Sequence, residues 1–237
     1  MNIVCVISAR GGSTGLPNKN IKKFCGKPLI YWSIKQATKV KVINNVFVST
    51  DSSLIKKYSR EAGALTPFER SKTLSKKLSP KFDVWKDAIK KIEKITKKKI
   101  DIFLDLDCTN PIRSIKDIKN SILILKKNFS NCDAVVSVSK SRKNPYFNMM
   151  EKDKKGFFKL SKKLKKWPVA RQLAPKVYDQ VASIYCMKRD FILNKKSIYD
   201  GKLIGLELDY LKSFDIDSKI DFEIVEFLFK KYKFNKF

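Results

Sequence analysis

Two kinds of apolar pattern alternate along the first 138 positions. Short continuous runs stand at Asn2–Ser8, at "NVFVS" (Asn45–Ser49), at Asp101–Asp107 and at Asp133–Val138. They are rich in Val, Ile and Leu and too short for ordinary helices, so they read as strands buried on both faces. Between them, Pro28–Thr38, Ser52–Ala62, Phe82–Ile95 and Ile115–Lys127 carry helical spacing. The third is the clearest: Val84, Trp85, Ala88, Ile89 and Ile92 recur at intervals of three and four. Pro28 suits a first helical turn, and Asp51 or Ser52 suits a cap for the second helix. Leu65–Lys81 is irregular.

Strand and helix in strict alternation indicate βαβ units, hence an α/β fold with a doubly wound, mostly parallel sheet. The rhythm breaks over residues 139–176, which are polar, rich in lysine and punctuated by Pro145 and Pro168. This segment reads as an inserted arm or lid. The alternation then resumes with a strand at Ala182–Met187, a short helix near Asp190, a strand ending near Asp215 and a last helix at Lys219–Phe229. A chain of 237 residues suits one domain, 1–237, carrying that arm.

The first strand runs into "ISARGGSTGLPNKN" (Ile7–Asn20), which crowds Gly11, Gly12 and Gly15 together with Arg10 and Lys19. Such a loop lies at the carboxyl edge of the sheet, where α/β ligands bind. It fits neither GxxxxGK[ST] nor GxGxxG. Glycines let backbone N–H groups approach phosphate oxygens, Arg10 offers a bidentate fork and Lys19 a mobile point charge. The plainer alternative is a tight turn with incidental cations.

Composition narrows the chemistry. There is no histidine, so Ser-His-Asp triads and histidine metal sites are excluded. The five cysteines (Cys5, Cys25, Cys108, Cys132 and Cys186) are scattered, with no CxxC, and suit a reducing, cytoplasmic compartment. No signal peptide is expected, and no apolar run approaches the ~18 residues of a membrane span. The formal net charge is +29, from 52 Lys+Arg against 23 Asp+Glu. The lysines are spread over nearly every helix surface without a basic stripe, so nucleic acid is an unlikely partner, whereas an anionic small substrate benefits from the field.

"ARGGSTGLPNKNIKKFCGKPLIYWSI" (Ala9–Ile34) resembles the opening of the acylneuraminate cytidylyltransferases, the CMP-sialic acid synthetase family. Further similar stretches are "VSTDS" (Val48–Ser52), "TPFERSKTLS" (Thr66–Ser75), "NPIR" (Asn110–Arg113), "NPY" (Asn144–Tyr146), "ARQ" (Ala170–Gln172), "ASIY" (Ala182–Tyr185) and "FDIDSKIDFEIVE" (Phe214–Glu226). The resemblance implies a Rossmann-like fold of the nucleotide-diphospho-sugar transferase type. The activity it implies is CTP plus a nine-carbon α-keto acid sugar giving CMP-sugar plus pyrophosphate, with Mg²⁺ or Mn²⁺ as cofactor and a homodimer built through the arm. A CMP-Kdo type enzyme, or a non-catalytic basic nucleotide- or nucleic-acid-binding protein, are the competing readings.

By the same resemblance, Ala9, Arg10, Gly11, Gly12, Ser13, Gly15, Lys19, Asn20 and Arg70 bind nucleotide. Asp215 and Asp217 hold the metal. In a strand-like "DID" their side chains share one face. The alternative is that Asp217 caps the last helix. Arg171 suits the sugar's carboxylate, with Gln172 and Tyr185 as weaker sugar contacts. A buried tyrosine explains Tyr185 equally, and a solvated loop explains Lys162–Lys166. Arg10, Lys19, Asp107 and Asp217 are the candidate catalytic residues. The chain departs from the family pattern where Asp107 replaces a glutamine, Cys108 a proline and Val181 an asparagine. "LDLDCTNPIR" and "SPKFDVWKDA" are similar to a subset acting on legionaminic- or pseudaminic-type sugars. Asp107 is open to three roles: metal contact, acceptor from a sugar hydroxyl, or proton acceptor.

Overall fold

A computed structural model describes residues 1–13, 15–234 and 236. Thr14, inside the glycine-rich loop, lies outside the described residues. Strand β1 (Ile3–Ser8) leads through that loop and a small hairpin, β2 (Lys23–Phe24) and β3 (Lys27–Pro28), into helix α1 (Leu29–Thr38). Then come β4 (Asn45–Ser49), α2 (Ser53–Glu61), α3 (Lys81–Thr96), β5 (Ile102–Leu106), α4 (Ile115–Lys127) and β6 (Ala134–Lys140). A second hairpin, β7 (Met150–Lys152) and β8 (Phe158–Leu160), stands in the arm. The chain finishes with β9 (Tyr178–Lys188), α5 (Arg189–Asn194), β10 (Leu203–Glu207) and α6 (Lys219–Lys231).

Six strands form the central sheet in the order β10-β6-β9-β5-β1-β4. All run parallel except β9, which is antiparallel to both neighbours. Successive side chains of a strand face opposite sides, and each side has its own core. Cys5, Ile7, Leu104 and Leu106 pack with Ile30 and Ile34 of α1, Ile55 of α2 and Ile118 of α4. Val4, Val6 and Phe103 pack with Trp85, Ala88 and Ile89 of α3 and Phe191 of α5. A third cluster joins α6 (Phe222, Val225, Phe229) to Phe24 and Trp32. Both faces being covered explains why the strands read as unbroken apolar runs.

Helix starts follow the polar residues that precede them. The Ser52 hydroxyl accepts from the Ile55 amide, and Ser114 and Ser218 form reciprocal capping boxes with Asp117 and Asp221. Ser218 is therefore the cap of α6, and the alternative role for Asp217 falls away.

Two expectations need correction. The strand expected to end near Asp215 ends at Glu207. Asp209 accepts from the Leu211 amide at 2.9 Å and turns the chain into a short 3-10 turn, Tyr210–Ser213. The following "FDID" is tied to the body by the Ile216 amide donating to the Thr109 carbonyl (2.9 Å). Secondly, the strand at Ala182–Met187 extends back to Tyr178, so the arm leaves and re-enters along one edge.

Candidate active site

The carboxyl ends of β1, β4 and β5 surround a cleft of about 480 Å³. Arg10, Ser13, Gly15, Lys19 and Asn20 reach it from the loop after β1. Arg70, Lys76, Lys77 and Ser79 come from the irregular segment before α3, Lys81 from its first turn, and Asp107 and Thr109 from the end of β5. Asp217 closes the rim.

The glycine-rich loop is fastened at three points. The Asn20 side-chain amide donates to the Arg10 carbonyl (3.0 Å), and its oxygen accepts from the Cys108 thiol (3.0 Å). The Gly11 amide donates to Asp51 Oδ1 at 2.9 Å. Lys19 Nζ donates to the Ile216 carbonyl (2.5 Å) and to Asp217 Oδ1 (3.1 Å). Lys19 thus pins the loop to the segment holding the acidic pair, almost 200 residues later.

Gly15 explains itself by contact. A Cβ there would run into the Asp217 carbonyl oxygen, so something would have to shift. Gly15→Ala should therefore push Asp217 and the loop apart. The expected cost is about 1–3 kcal/mol of stability, together with weakened CTP binding. Thermal melts and titration with CTP read both, and unchanged CTP affinity would refute the contact's importance.

The residues expected at the nucleotide differ in their surroundings. The Ala9 side chain is core, and its amide donates to the Ser49 carbonyl. Gly11 has spent its N–H on Asp51, so that amide is not free for phosphate. Gly12 is exposed with open space around it. Arg70 is buried: its guanidinium donates to the Ser49 carbonyl (2.7 Å) and hydroxyl (3.2 Å) while lining the cleft. Burial lowers its pKa, and Asp51 and Asp105 oppose that shift. The Ser8 hydroxyl also lines the cleft, buried and without a hydrogen-bond partner among the described residues.

Asp107 is held at every polar atom. Oδ1 accepts from the Thr109 amide (3.2 Å) and hydroxyl (3.0 Å), and Oδ2 from Lys81 Nζ (2.9 Å). Its amide donates to the Ser183 carbonyl (3.2 Å), and its own carbonyl accepts from Arg113 (2.7 Å). Burial would raise its carboxyl, but Lys81 and Thr109 outweigh it and hold the pKa below the usual value. Lys81 also meets Asp105 Oδ2 at 2.8 Å and sits 4.4 Å above the Tyr185 ring. Burial would lower the Lys81 pKa, but the two carboxylates carry it well above the ordinary lysine value. Tyr185 is itself buried in the core beside Trp85, so its ring is a floor under Lys81. Lys81 escaped the sequence reading. Its one signal was a cation at the first position of a helix, where the helix dipole disfavours it.

The acidic pair divides between two cavities. Asp217 is exposed and borders the cleft. Asp215 is half-buried and borders a neighbouring cavity of about 500 Å³, lined by Ser141, Arg142, Lys143, Gln180, Val181 and Tyr210 among others. The buried Ile216 between them points into the α6 cluster. Burial raises the Asp215 carboxyl, and the negative charges of Asp107 and Asp217 add to that. Among the described residues no three His, Cys, Asp or Glu side chains converge tightly enough to hold an ion by themselves.

Arg171 and Gln172 are exposed on the arm and line a third cavity, of about 270 Å³, with Asn144 and Lys176. They do not line the cleft of their own chain. The reason is that β9 starts at Tyr178, beyond them, which leaves them out on the arm.

Comparison with known proteins follows the same lines. The profile of the cytidylyltransferase family matches residues 4–234. A CMP-N,N'-diacetyllegionaminic acid synthase of Campylobacter jejuni is 39% identical over 95% of this chain and 94% of its own. A "post-translational flagellin modification protein B" of Campylobacter coli is 38% identical over 97% and 95%. Among solved structures, a CMP:2-keto-3-deoxy-manno-octonic acid synthetase complexed with CTP is similar in fold, with a TM-score of 0.71 over 98% of this chain and 100% of that one, at 17% identity.

Proposed function

The chain belongs to the cytidylyltransferase family, and on that premise we propose that it activates a nonulosonic (sialic-acid-like) sugar of the legionaminic or pseudaminic type. It is a nucleotidyltransferase: CTP and the sugar acid give CMP-sugar and pyrophosphate. The observation that carries this reading is the cleft at the carboxyl edge. Arg10 and Arg70 line it near the ends of β1 and β4, Asp107 and Lys81 line it at the end of β5, and the Lys19–Asp217 pair closes the rim. The named relative at 39% identity supplies the sugar class.

Cations along the β1 and β4 side suit a triphosphate. The Arg10 guanidinium has no hydrogen-bond or ion-pair partner among the described residues and can fork onto phosphate oxygens, and the pinned Lys19 adds a fixed positive charge. Arg70 fixes the base or ribose from the buried side. The cavity beside Asp215 lies one and two strands further along the same edge, at the ends of β6 and β9. It suits the acid end of the acceptor sugar, with Arg142 and Lys143 to meet the carboxylate, while the rest of the sugar reaches Asp107, the neighbour of Asp215 on the rim of the cleft.

A divalent metal fits the acidic pair. Asp215 is crowded by like charge that a cation would relieve, and both residues offer hard oxygen donors. Two protein carboxylates completed by substrate phosphates is the ordinary way Mg²⁺ is held. When bound there, such an ion would neutralise charge developing on the leaving pyrophosphate. The chain's residues do the rest. They align the anomeric hydroxyl with the α-phosphorus and keep the pyrophosphate opposite to it, so that one P–O bond forms as another breaks. Asp107 already has hydrogen bonds at both oxygens, so its role is to orient by accepting a further bond.

The arm carries exposed Phe157, Phe158, Trp167, Val169 and Leu173. Their exposure supports a dimer built through the arm, which would carry Arg171 toward a partner's site. All five cysteines are free, which suits a reducing cytoplasm.

The test is a panel. The protein is mixed with Mg²⁺, each of the four nucleoside triphosphates and several acids: N,N'-diacetyllegionaminic, pseudaminic, N-acetylneuraminic and Kdo. Pyrophosphate release is followed. Release should need CTP and favour the nine-carbon acids. Release with ATP or UTP but not CTP, or with Kdo alone, would overturn the assignment.

A further inference from the structure

Lys81 opens α3 in a place where neither helix propensity nor the dipole asks for a cation. Its ammonium lies between two carboxylates of one strand end, 2.8 Å from Asp105 and 2.9 Å from Asp107. Asp105 is 0% exposed, and Lys81 is its one ion pair among the described residues. Neither of its oxygens has a hydrogen-bond partner among them, so the ion pair at Oδ2 is what balances its charge. A buried carboxylate in that state is tolerable only with its counter-charge in place. Asp105 therefore draws the ammonium inward, and the Tyr185 and Trp85 rings support it from below.

We propose that Lys81 is a positioning residue that makes Asp107 an acceptor-only contact for a hydroxyl or amide N–H of the acceptor sugar, with Asp105 as the buried anchor of the ammonium. This rests on the sugar-activating reading above. Both Asp107 oxygens already face donors: Lys81 on one side, the Thr109 N–H and O–H on the other. A side-chain amide at this place would turn its NH₂ toward one of them whichever way it faced, donor against donor. Only a carboxylate satisfies both sides. Its remaining lone pairs open onto the cleft, where they can accept but not donate. A sugar presenting a donor at that point is held, and one presenting only an acceptor is rejected, because two facing acceptors are left unpaired. The carboxylate at position 107 and the lysine at position 81 are thus one specificity element, contributed by two segments 26 residues apart.

Lys81→Met alone strands the buried Asp105 carboxylate at a cost to folding, so the informative variant is Lys81→Met/Asp105→Leu. It removes the cation and the buried anion together. The experiment measures melting temperature, KM for CTP and KM for N,N'-diacetyllegionaminic acid, using CTP, Mg²⁺ and pyrophosphate release. It covers wild type, the double variant, Asp107→Asn, and the triple variant combining all three substitutions. The double variant should melt near wild type, keep its CTP KM within about twofold, and raise its sugar KM about 10- to 100-fold, the range for losing a charge-assisted hydrogen bond. Asp107→Asn should show the same sugar-side loss, and the triple variant should lose little more, because the residues act as one unit. A folded double variant with unchanged sugar KM overturns the proposal. So does a CTP KM that rises as much as the sugar's, or losses that simply multiply. If wild type turns over no sugar acid with CTP, the functional reading itself fails and this proposal falls with it.

Discussion

Asp215→Asn should give a protein that is more stable than the wild type and nearly inactive. Asp215 is half-buried, and burial first, then the Asp107 and Asp217 carboxylates, raise its pKa above the ordinary aspartate value. A raised folded pKa favours the folded state at low pH, where the group is protonated in both states. That advantage is lost as pH rises through the folded value. At neutral pH the ionised carboxylate is a burden on the fold. Asparagine keeps the shape and can still accept from the Ile216 amide, now at 2.9 Å, without the charge. Each kcal/mol relieved raises Tm by about 2–4 °C in a chain of this size. The difference between variant and wild type should shrink in acid, and no histidine titrates across the window to obscure it. Turnover should fall roughly 10²–10³-fold, the usual loss when one electrostatic element of a transition state is removed. Asp217→Asn should lose turnover similarly with no gain in Tm, since that carboxylate is 81% exposed and already paired with Lys19. Melts from neutral pH down into the ordinary aspartate range, beside pyrophosphate release, decide the matter. A Tm gain that persisted undiminished in acid, where the carboxyl is protonated in both the folded and the unfolded chain, would defeat the like-charge explanation.

The largest stability loss should come from Arg113→Met. The side chain is 1% exposed and joins three elements. Nε donates to Gln36 of α1 at 2.8 Å, and the two terminal nitrogens donate to the Ser183 carbonyl of β9 (2.6 Å), the Asp107 carbonyl (2.7 Å) and the Ser33 hydroxyl. Burial pulls its pKa down to about 10, still far above neutrality, so it remains a full cation. Methionine removes every donor: the buried Gln36 side-chain oxygen loses its partner, and the Ser183 and Asp107 carbonyls lose their shorter bonds, keeping the Asp107 amide (3.2 Å) and the Ser33 hydroxyl (3.3 Å). Breaking a buried charged network of this kind costs about 3–5 kcal/mol, or roughly 6–20 °C in Tm. Arg113→Lys should recover little, because a point donor cannot span Gln36 and the two carbonyls. Denaturant unfolding of the three proteins would show it, and a loss below about 1 kcal/mol for the methionine variant would contradict the network's role.

The sheet was legible because its strands are buried on both faces and its helices on one. Asn45–Ser49 and Ile115–Lys127 stand where the pattern placed them. Strand direction was not legible, since Val181–Met187 reads as the same kind of apolar run as the parallel strands of the sheet. The loop after β1 announced itself by composition, but the division of labour inside it did not. Gly15 answers to a carbonyl 202 positions away, and Gly11 to Asp51. Lys81 stayed hidden among 52 basic residues, because its importance comes from two carboxylates on another strand. Arg113 was visible only as the last letter of "NPIR", with nothing in that stretch to say that its guanidinium is buried.

The reversed direction of β9 has one more effect. Parallel strands joined through helices send the chain back to the far side of the sheet before each new strand begins. Between β6 and β9 no return is needed: β6 finishes on the ligand side and β9 starts there. Whatever is spliced between them, here residues 141–177, is delivered beside the reaction and never crosses the core. That junction is a port at which segments can be lengthened, shortened or exchanged while the strands that carry the glycine-rich loop stay still.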